Sequence, residues 1–158
     1  MRAMEQRDAA AVASIYNEGI RGRGATFQTA ERTPEDVEPW VDAADRYPVV
    51  VAERDGRVLG WARAGSYSDF KAYAGVGELA IYVTEAARGA GVGRELVDAL
   101  AEAACDRGYW KLIAKVFPAN EGSIRLLLAC GYREVGLHLR HGQLDGEWRD
   151  VLLLERSL

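Results

Sequence analysis

The chain has 158 residues, 49% of them hydrophobic, which is enough for one substantial core and too little for two, so a single domain over residues 1–158 is expected. Its 20 Lys and Arg against 24 Asp and Glu give a net charge of −4 with both signs interspersed, which excludes the basic footprint needed to wrap nucleic acid. The opening run Met1 to Asp8 has no apolar signal core and no stretch approaches the ~20 apolar residues of a membrane span, so a soluble, cytoplasmic protein without a membrane partner is expected.

Asp8 is placed to cap a helix whose apolar residues Val12, Ile15 and Tyr16 recur at helical spacing, and Gly19, Gly22 and Gly24 end it. A glycine-rich loop follows to Phe27. Thr33-Pro34-Glu35-Asp36 reads as an N-cap, an N1 proline and two first-turn acids, opening a second helix to about Arg46 before Pro48 resets the chain. Val49–Glu53 and Val58–Ala64 are β-rich runs joined by Arg54-Asp55-Gly56-Arg57, the signature of a tight hairpin. Gly77–Val83 predicts another strand, Gly91–Arg107 a long helix stopped by Gly108, Trp110–Val116 a strand, and Glu121–Cys130 a helix stopped by Gly131. Two strands, Tyr132–His141 and Trp148–Glu155, close the chain around Leu144-Asp145-Gly146-Glu147. The crossover pattern in the middle and the hairpins at either end give an α/β class with a mixed sheet. Cys105 and Cys130 lie in predicted helices without CxxC spacing and read as buried free thiols. His138 and His141 are three apart on a strand, so strict alternation sends them to opposite faces; no metal site is expected. Trp110 and Trp148 read as core or dimer-contact aromatics.

Arg88-Gly89-Ala90-Gly91-Val92-Gly93 stands between a predicted strand and the long helix. Unpaired amides and the helix dipole favour an anion there, and glycines let the backbone approach a phosphate closely. A dinucleotide fingerprint would need glycine where Arg94 stands, and a Walker loop would need Gly-Lys-Ser/Thr, so the loop asks for a different phosphate ligand. The ordinary alternative is a flexible helix start. In Gly77-Glu78-Leu79-Ala80-Ile81-Tyr82-Val83, alternation puts Glu78, Ala80 and Tyr82 on one face and Leu79, Ile81 and Val83 on the other. A carboxylate desolvated beside such apolar neighbours has a raised pKa, which suits it to take a proton from an ammonium; Ala80 leaves room beside it. The alternatives for Glu78 are a solvated edge-strand side chain or an ion pair with an arginine.

The run Arg88 to Gly93 resembles the pyrophosphate loop of the GNAT superfamily of acyl-CoA N-acyltransferases, Gln/Arg-x-x-Gly-x-Gly/Ala. The resemblance implies a mixed, mostly antiparallel sheet of about seven strands flanked by about four helices. It also implies acetyl-CoA as cosubstrate, held by Arg88, Gly89, Ala90, Gly91, Val92, Gly93 and Arg94 and by the edge Ile81, Tyr82 and Val83, with a strand amide near Ile81 polarising the carbonyl. Pro118-Ala119-Asn120-Glu121-Gly122-Ser123 looks like the segment whose asparagine contacts pantetheine, which brings in Asn120 and Ser123; Asn120 is equally a good helix N-cap. Many members carry a tyrosine, the acid for the departing thiolate, seven residues after that asparagine; here the position is Leu127. A thiolate near the ordinary cysteine pKa needs little such help.

Over nearly its whole length the chain also resembles the phosphinothricin and methionine-sulfoximine acetyltransferase branch. The matching pieces are Ile15-Tyr16-Asn17-Glu18-Gly19-Ile20, Ala25-Thr26-Phe27, Tyr47-Pro48, Lys71-Ala72-Tyr73, Glu78, Tyr82-Val83 and Gly146-Glu147-Trp148-Arg149-Asp150-Val151. Phe117-Pro118 and the run His141 to Asp150 look most like arsinothricin-resistance enzymes. The branch implies a glutamate-mimic amino acid as substrate, Glu78 as base, Phe27, Lys71, Tyr73, Val76 and His141 around the substrate, and a homodimer. Each pocket residue has an ordinary alternative: Phe27 as core, Lys71 as a solvated cation, Tyr73 as packing. The rival functions are the same fold acting on another amine, such as methionine sulfoximine or sulfone, a housekeeping amino acid, a peptide N-terminus, a polyamine or an aminoglycoside, and a non-catalytic acyl-CoA sensor.

Overall fold

The computed structural model describes residues 1–158. Its elements are β1 (Arg2–Ala3), α1 (Ala9–Arg21), α2 (Pro34–Val37), α3 (Pro39–Asp42), β2 (Val49–Arg54), β3 (Arg57–Ser66), β4 (Val76–Val83), α4 (Val92–Cys105), β5 (Lys111–Val116), α5 (Glu121–Ala129), β6 (Arg133–Leu144) and β7 (Glu147–Ser157). The strands form one seven-stranded sheet in the order β1-β2-β3-β4-β5-β7-β6. Only β4 and β5 pair in parallel, because α4 carries the chain back across the sheet between them. The two hairpins turn through Asp55-Gly56 and Asp145-Gly146, whose φ values of 51°, 72°, 50° and 81° are those of a two-residue turn matched to strand twist.

Each face of the sheet buries its own core. Ala52, Ala62, Ala64, Leu79, Leu112, Ala114 and Leu154 pack under α4 and α5 against Leu96, Leu100 and Leu127. Val49, Val51 and Trp61 pack on the other face against Val12, Ile15 and Val37 beneath α1 and α2. Each fully buried leucine contributes about 1.5–3 kcal/mol. Glu78, Ala80 and Tyr82 face the α1 side, as alternation requires.

Several local expectations are corrected. α1 begins at Ala9, directly after Asp8 as expected, but a 3₁₀ turn at Gln6–Asp8, capped reciprocally by Glu5, leads into it, and the Asp8 carboxylate accepts from the Glu5 amide at 2.8 Å rather than capping α1. Gly19 lies inside α1, which continues to Arg21. The second helix divides into α2 and α3 at Pro39, which has no N–H to donate back along the helix, and α3 ends at Asp42 well short of Arg46. Cys105 is exposed and only Cys130 is buried. Trp110 and Trp148 are exposed rather than core. His138 and His141 do not point apart: their ring centroids lie 4.7 Å from each other. Between them the pairing slips, from His138↔Val151 to Gly142↔Arg149, around Arg140 at φ 49°, and the bulge removes the alternation.

The feature that positions the site is a split in the sheet. Pairing between β4 and β5 ends at Glu78↔Ile113. Beyond it β4 stays with β3 as far as Gly60↔Val83, and β5 stays with β7 as far as Val116↔Leu152. The two strands therefore part, leaving the facing edges of both without strand partners.

Candidate active site

A cleft of about 410 Å³ passes through the sheet at this split. On the α5 side it is lined by Leu79, Ile81, Ala114, Val116, Asn120, Ser123 and the buried Leu127; on the α1 side by Tyr16, Thr26, Phe27, Glu78, Ala80, Tyr82, Lys115 and His141. Phe27 meets Phe117 edge to face, with centroids 4.9 Å apart, and lies over Gly142, where a Cβ would come within 2.8 Å of its ring. Two molecules approaching from opposite faces of the sheet can thus meet beside Glu78.

The Glu78 side chain is 35% exposed, and its Oε2 lies 2.7 Å from Nζ of Lys115. The expected desolvated carboxylate is instead an ion pair, with a lysine rather than an arginine. Tyr82 stacks on Trp61 at 4.9 Å and tilts against Tyr16 at 4.7 Å, and burial pushes its phenol well above the ordinary value.

The glycine loop runs from the end of β4 into α4. Gly89 and Gly91 have φ of 77° and 82°, and a Cβ on Gly89 would meet nothing within 4 Å, so the space in front of the loop is open. The amides of Gly89, Ala90, Gly91, Val92 and Gly93 donate to no backbone acceptor; the first amide to do so is that of Arg94, to Gly91 O at 3.0 Å. Such a row of free N–H groups at a helix N-terminus is a cradle for phosphate oxygens. Asn120 caps α5, accepting from the Ser123 amide at 3.2 Å, and lines the cleft as well.

Residues 12–132 match the Acetyltransferase (GNAT) family. The chain belongs to the GNAT acetyltransferase family. It is 36% identical over 164 residues to the phosphinothricin N-acetyltransferase of Alcaligenes faecalis, covering 100% of this chain and 82% of that one. A Brucella melitensis structure named ribosomal-protein-alanine N-acetyltransferase superposes with a TM-score of 0.94 at 34% identity, covering 99% of this chain and 98% of that one. A Salmonella typhimurium acetyltransferase, solved with its cofactor acetyl-CoA, superposes with a TM-score of 0.93 at 28% identity, covering 99% and 92%. The GNAT protein is accordingly an N-acetyltransferase, and its free loop amides, glycines and split sheet suit the diphosphate and pantetheine arm of acetyl-CoA.

Of the residues expected around the reaction in this GNAT chain, Glu78, Ile81, Tyr82, Asn120, Ser123, Phe27 and His141 line the one cleft. Lys71 and Tyr73 lie exposed on the segment between β3 and β4, and Val76 is buried at the start of β4; none of the three lines it. No group of three or more His, Cys, Asp and Glu side chains comes together as a metal ligand set. Three contributors escaped the sequence reading. Lys115 interrupts a buried run, and nothing local names its partner. Asn17 brackets the backbone of Arg32, donating to its carbonyl at 2.8 Å and accepting from its amide at 2.7 Å, which pins the loop that carries Phe27. Glu18 accepts from Thr84 Oγ1 and the Glu85 amide, each at 3.0 Å, and so ties α1 to the turn that leads into the glycine loop. The signal was present in the run Ile15 to Ile20, whose polar members sit on a helix packed against the sheet.

Proposed function

We propose that this enzyme acetylates the α-amino group of a small free amino acid, a glutamate mimic of the arsinothricin or phosphinothricin type, with Glu78 as general base. The observation that carries the reading is the position of Glu78 at the point where β4 and β5 part, inside a cleft open to both faces of the sheet. Acetyl-CoA, when bound, supplies an acetyl thioester. The amides of Gly89 to Gly93, with Arg88 and Arg94 beside them, hold its diphosphate, while the freed edge at Ile81, Tyr82 and Val83, with Asn120 and Ser123, holds the pantetheine arm. On the α1 side Phe27 and His141 wall the amine's approach, and Glu78 accepts the ammonium proton so that the nitrogen lone pair is free to attack. Leu127 brings no proton donor to its part of the cleft. The relative from Alcaligenes faecalis supports an amino-acid substrate. A peptide N-terminus is the second reading, favoured by the name of the Brucella melitensis neighbour.

The test is the release of free CoA from acetyl-CoA with arsinothricin, phosphinothricin, methionine sulfoximine, glutamate, spermidine and an aminoglycoside. Turnover confined to the glutamate mimics is expected; acetyl-CoA binding without turnover on any amine would instead indicate a sensor. Glu78→Gln is expected to lower kcat by about 10²–10⁴-fold near neutral pH with acetyl-CoA affinity almost unchanged. Wild-type turnover in that variant removes Glu78 from the mechanism. We further propose that two copies pair through β6, the longer of the two edge strands of the sheet.

A further inference from the structure

We propose that Lys115 binds the α-carboxylate of the substrate and thereby restricts the enzyme to free α-amino acids; this rests on Glu78 receiving the α-ammonium. Lys115 stands in Lys111-Leu112-Ile113-Ala114-Lys115-Val116, where Leu112, Ile113, Ala114 and Val116 are all buried. The strand lies inside the sheet, between β4 and β7, and Lys115 is its one exposed residue, facing the opening of the cleft. Because Glu78 pairs with Ile113 in parallel, Lys115, two residues on, projects from the same face as Glu78, and it reaches back across the opening split to lie 2.7 Å from the carboxylate. No other acid lies within ion-pair distance of it. Both side chains line the cleft beside Phe27 and His141.

The pair has the chemistry of an amino-acid receptor. A zwitterion carries its ammonium and carboxylate on one carbon; Glu78 and Lys115 present the opposite charges side by side, so the four groups alternate in sign when the amino acid docks. An α-amide, an α-ester or a peptide N-terminus keeps the ammonium and loses the anion, leaving Lys115 without a partner in place of Glu78. With side-chain exposures of 41% and 35%, the pair is wet enough that opening it costs little, since solvent screens exposed ion pairs. A charge-assisted hydrogen bond from Lys115 to the carboxylate, at about 1.5–3 kcal/mol, corresponds to roughly 10- to 100-fold in affinity. Lysine's three donors on a flexible stem let one ammonium serve Glu78 before binding and the carboxylate after it.

The experiment compares the best free amino acid with its α-methyl ester and its α-amide, in wild type, Lys115→Met and Lys115→Arg, with calorimetric acetyl-CoA binding as the check that each variant is folded. Wild type is expected to prefer the free acid in kcat/KM by about 10- to 100-fold. In Lys115→Met that preference collapses to near unity, chiefly through a raised KM for the acid, and Lys115→Arg restores most of it. If Lys115 only steadies Glu78, Lys115→Met lowers kcat equally for acid and ester and leaves the preference intact, which overturns the proposal. Equal use of acid and ester by wild type overturns it too, while leaving an N-acetyltransferase with Glu78 as base. Failure of wild type to acetylate any α-amino acid or its esters overturns the amino-acid reading and this proposal together.

Discussion

At Gly19 an added Cβ would lie 2.4 Å from Tyr82 Cε1 and 2.7 Å from its Cδ1. Two effects oppose each other there. Alanine in place of glycine in a helix interior gains about 1 kcal/mol. Overpacking against a ring that cannot retreat costs about 1–3 kcal/mol. The ring cannot retreat, because it is stacked on Trp61, which is buried, and leans on Tyr16. Packing therefore at least offsets propensity, and Gly19→Ala is expected to lose up to about 2 kcal/mol in urea unfolding and to raise the KM for acetyl-CoA, since Tyr82 lies on the edge of the cleft; a gain in stability would show the ring to be mobile. Read locally, Gly19 is a helix stop, because its partner lies on a distant strand. The same blindness hid the partner of Lys115, whereas Glu78 was legible, since an acid in an otherwise apolar strand is anomalous without any knowledge of its neighbours.

Among the elements, β1, the first turn and β2 are joined by one cation. Arg2 donates to both oxygens of Asp8, at 2.6 and 2.7 Å, and to Glu53 at 2.7 Å. Burial acts to raise the Asp8 pKa, but the hydrogen bonds from Arg2 and from the Glu5 amide outweigh it and hold the carboxyl below its ordinary value. The folded state therefore favours ionised Asp8. Its contribution is complete above the ordinary carboxylate pKa and is lost as the pH falls through the lower, folded value. Asp8→Asn is expected to cost about 1.5–3 kcal/mol at neutral pH and to flatten the acid limb of the stability curve, read by urea unfolding at pH 7 and again at successively lower pH. A variant as acid-sensitive as wild type would assign that limb to other carboxylates. Helix and strand identities were legible here because capping residues and apolar spacing are local. The cap one turn early, the break at Pro39 and the bulge at Arg140 were not, since each depends on which of two adjacent choices the packing selects.

For the molecule as a whole, the split of β4 from β5 is the property no local pattern displays: Gly77–Val83 and Trp110–Val116 read as two ordinary strands, and only their register, ending at Glu78, makes a passage through the sheet. The glycine loop made the GNAT resemblance legible, whereas the passage, on which the proposed meeting of two substrates at Glu78 rests, was not. A second global property is the free edge. β6 leaves Val135, Leu137 and Leu139 exposed by 46%, 50% and 71%, with Trp148 on the neighbouring strand at 50%. An open edge strand normally carries charge or proline to prevent pairing; β6 has Arg133, Glu134 and Arg140, yet between them its exposed branched residues form an apolar patch of the kind that supports a contact. For the dimer proposed through this strand, light scattering is expected to give a mass near twice 17.3 kDa. Leu137→Glu combined with Leu139→Glu places like charges on both copies across a two-fold contact and is expected to give a monomer with far-ultraviolet dichroism like that of wild type. A monomeric wild type would remove the dimer, and a double variant that stays dimeric would move the contact away from β6.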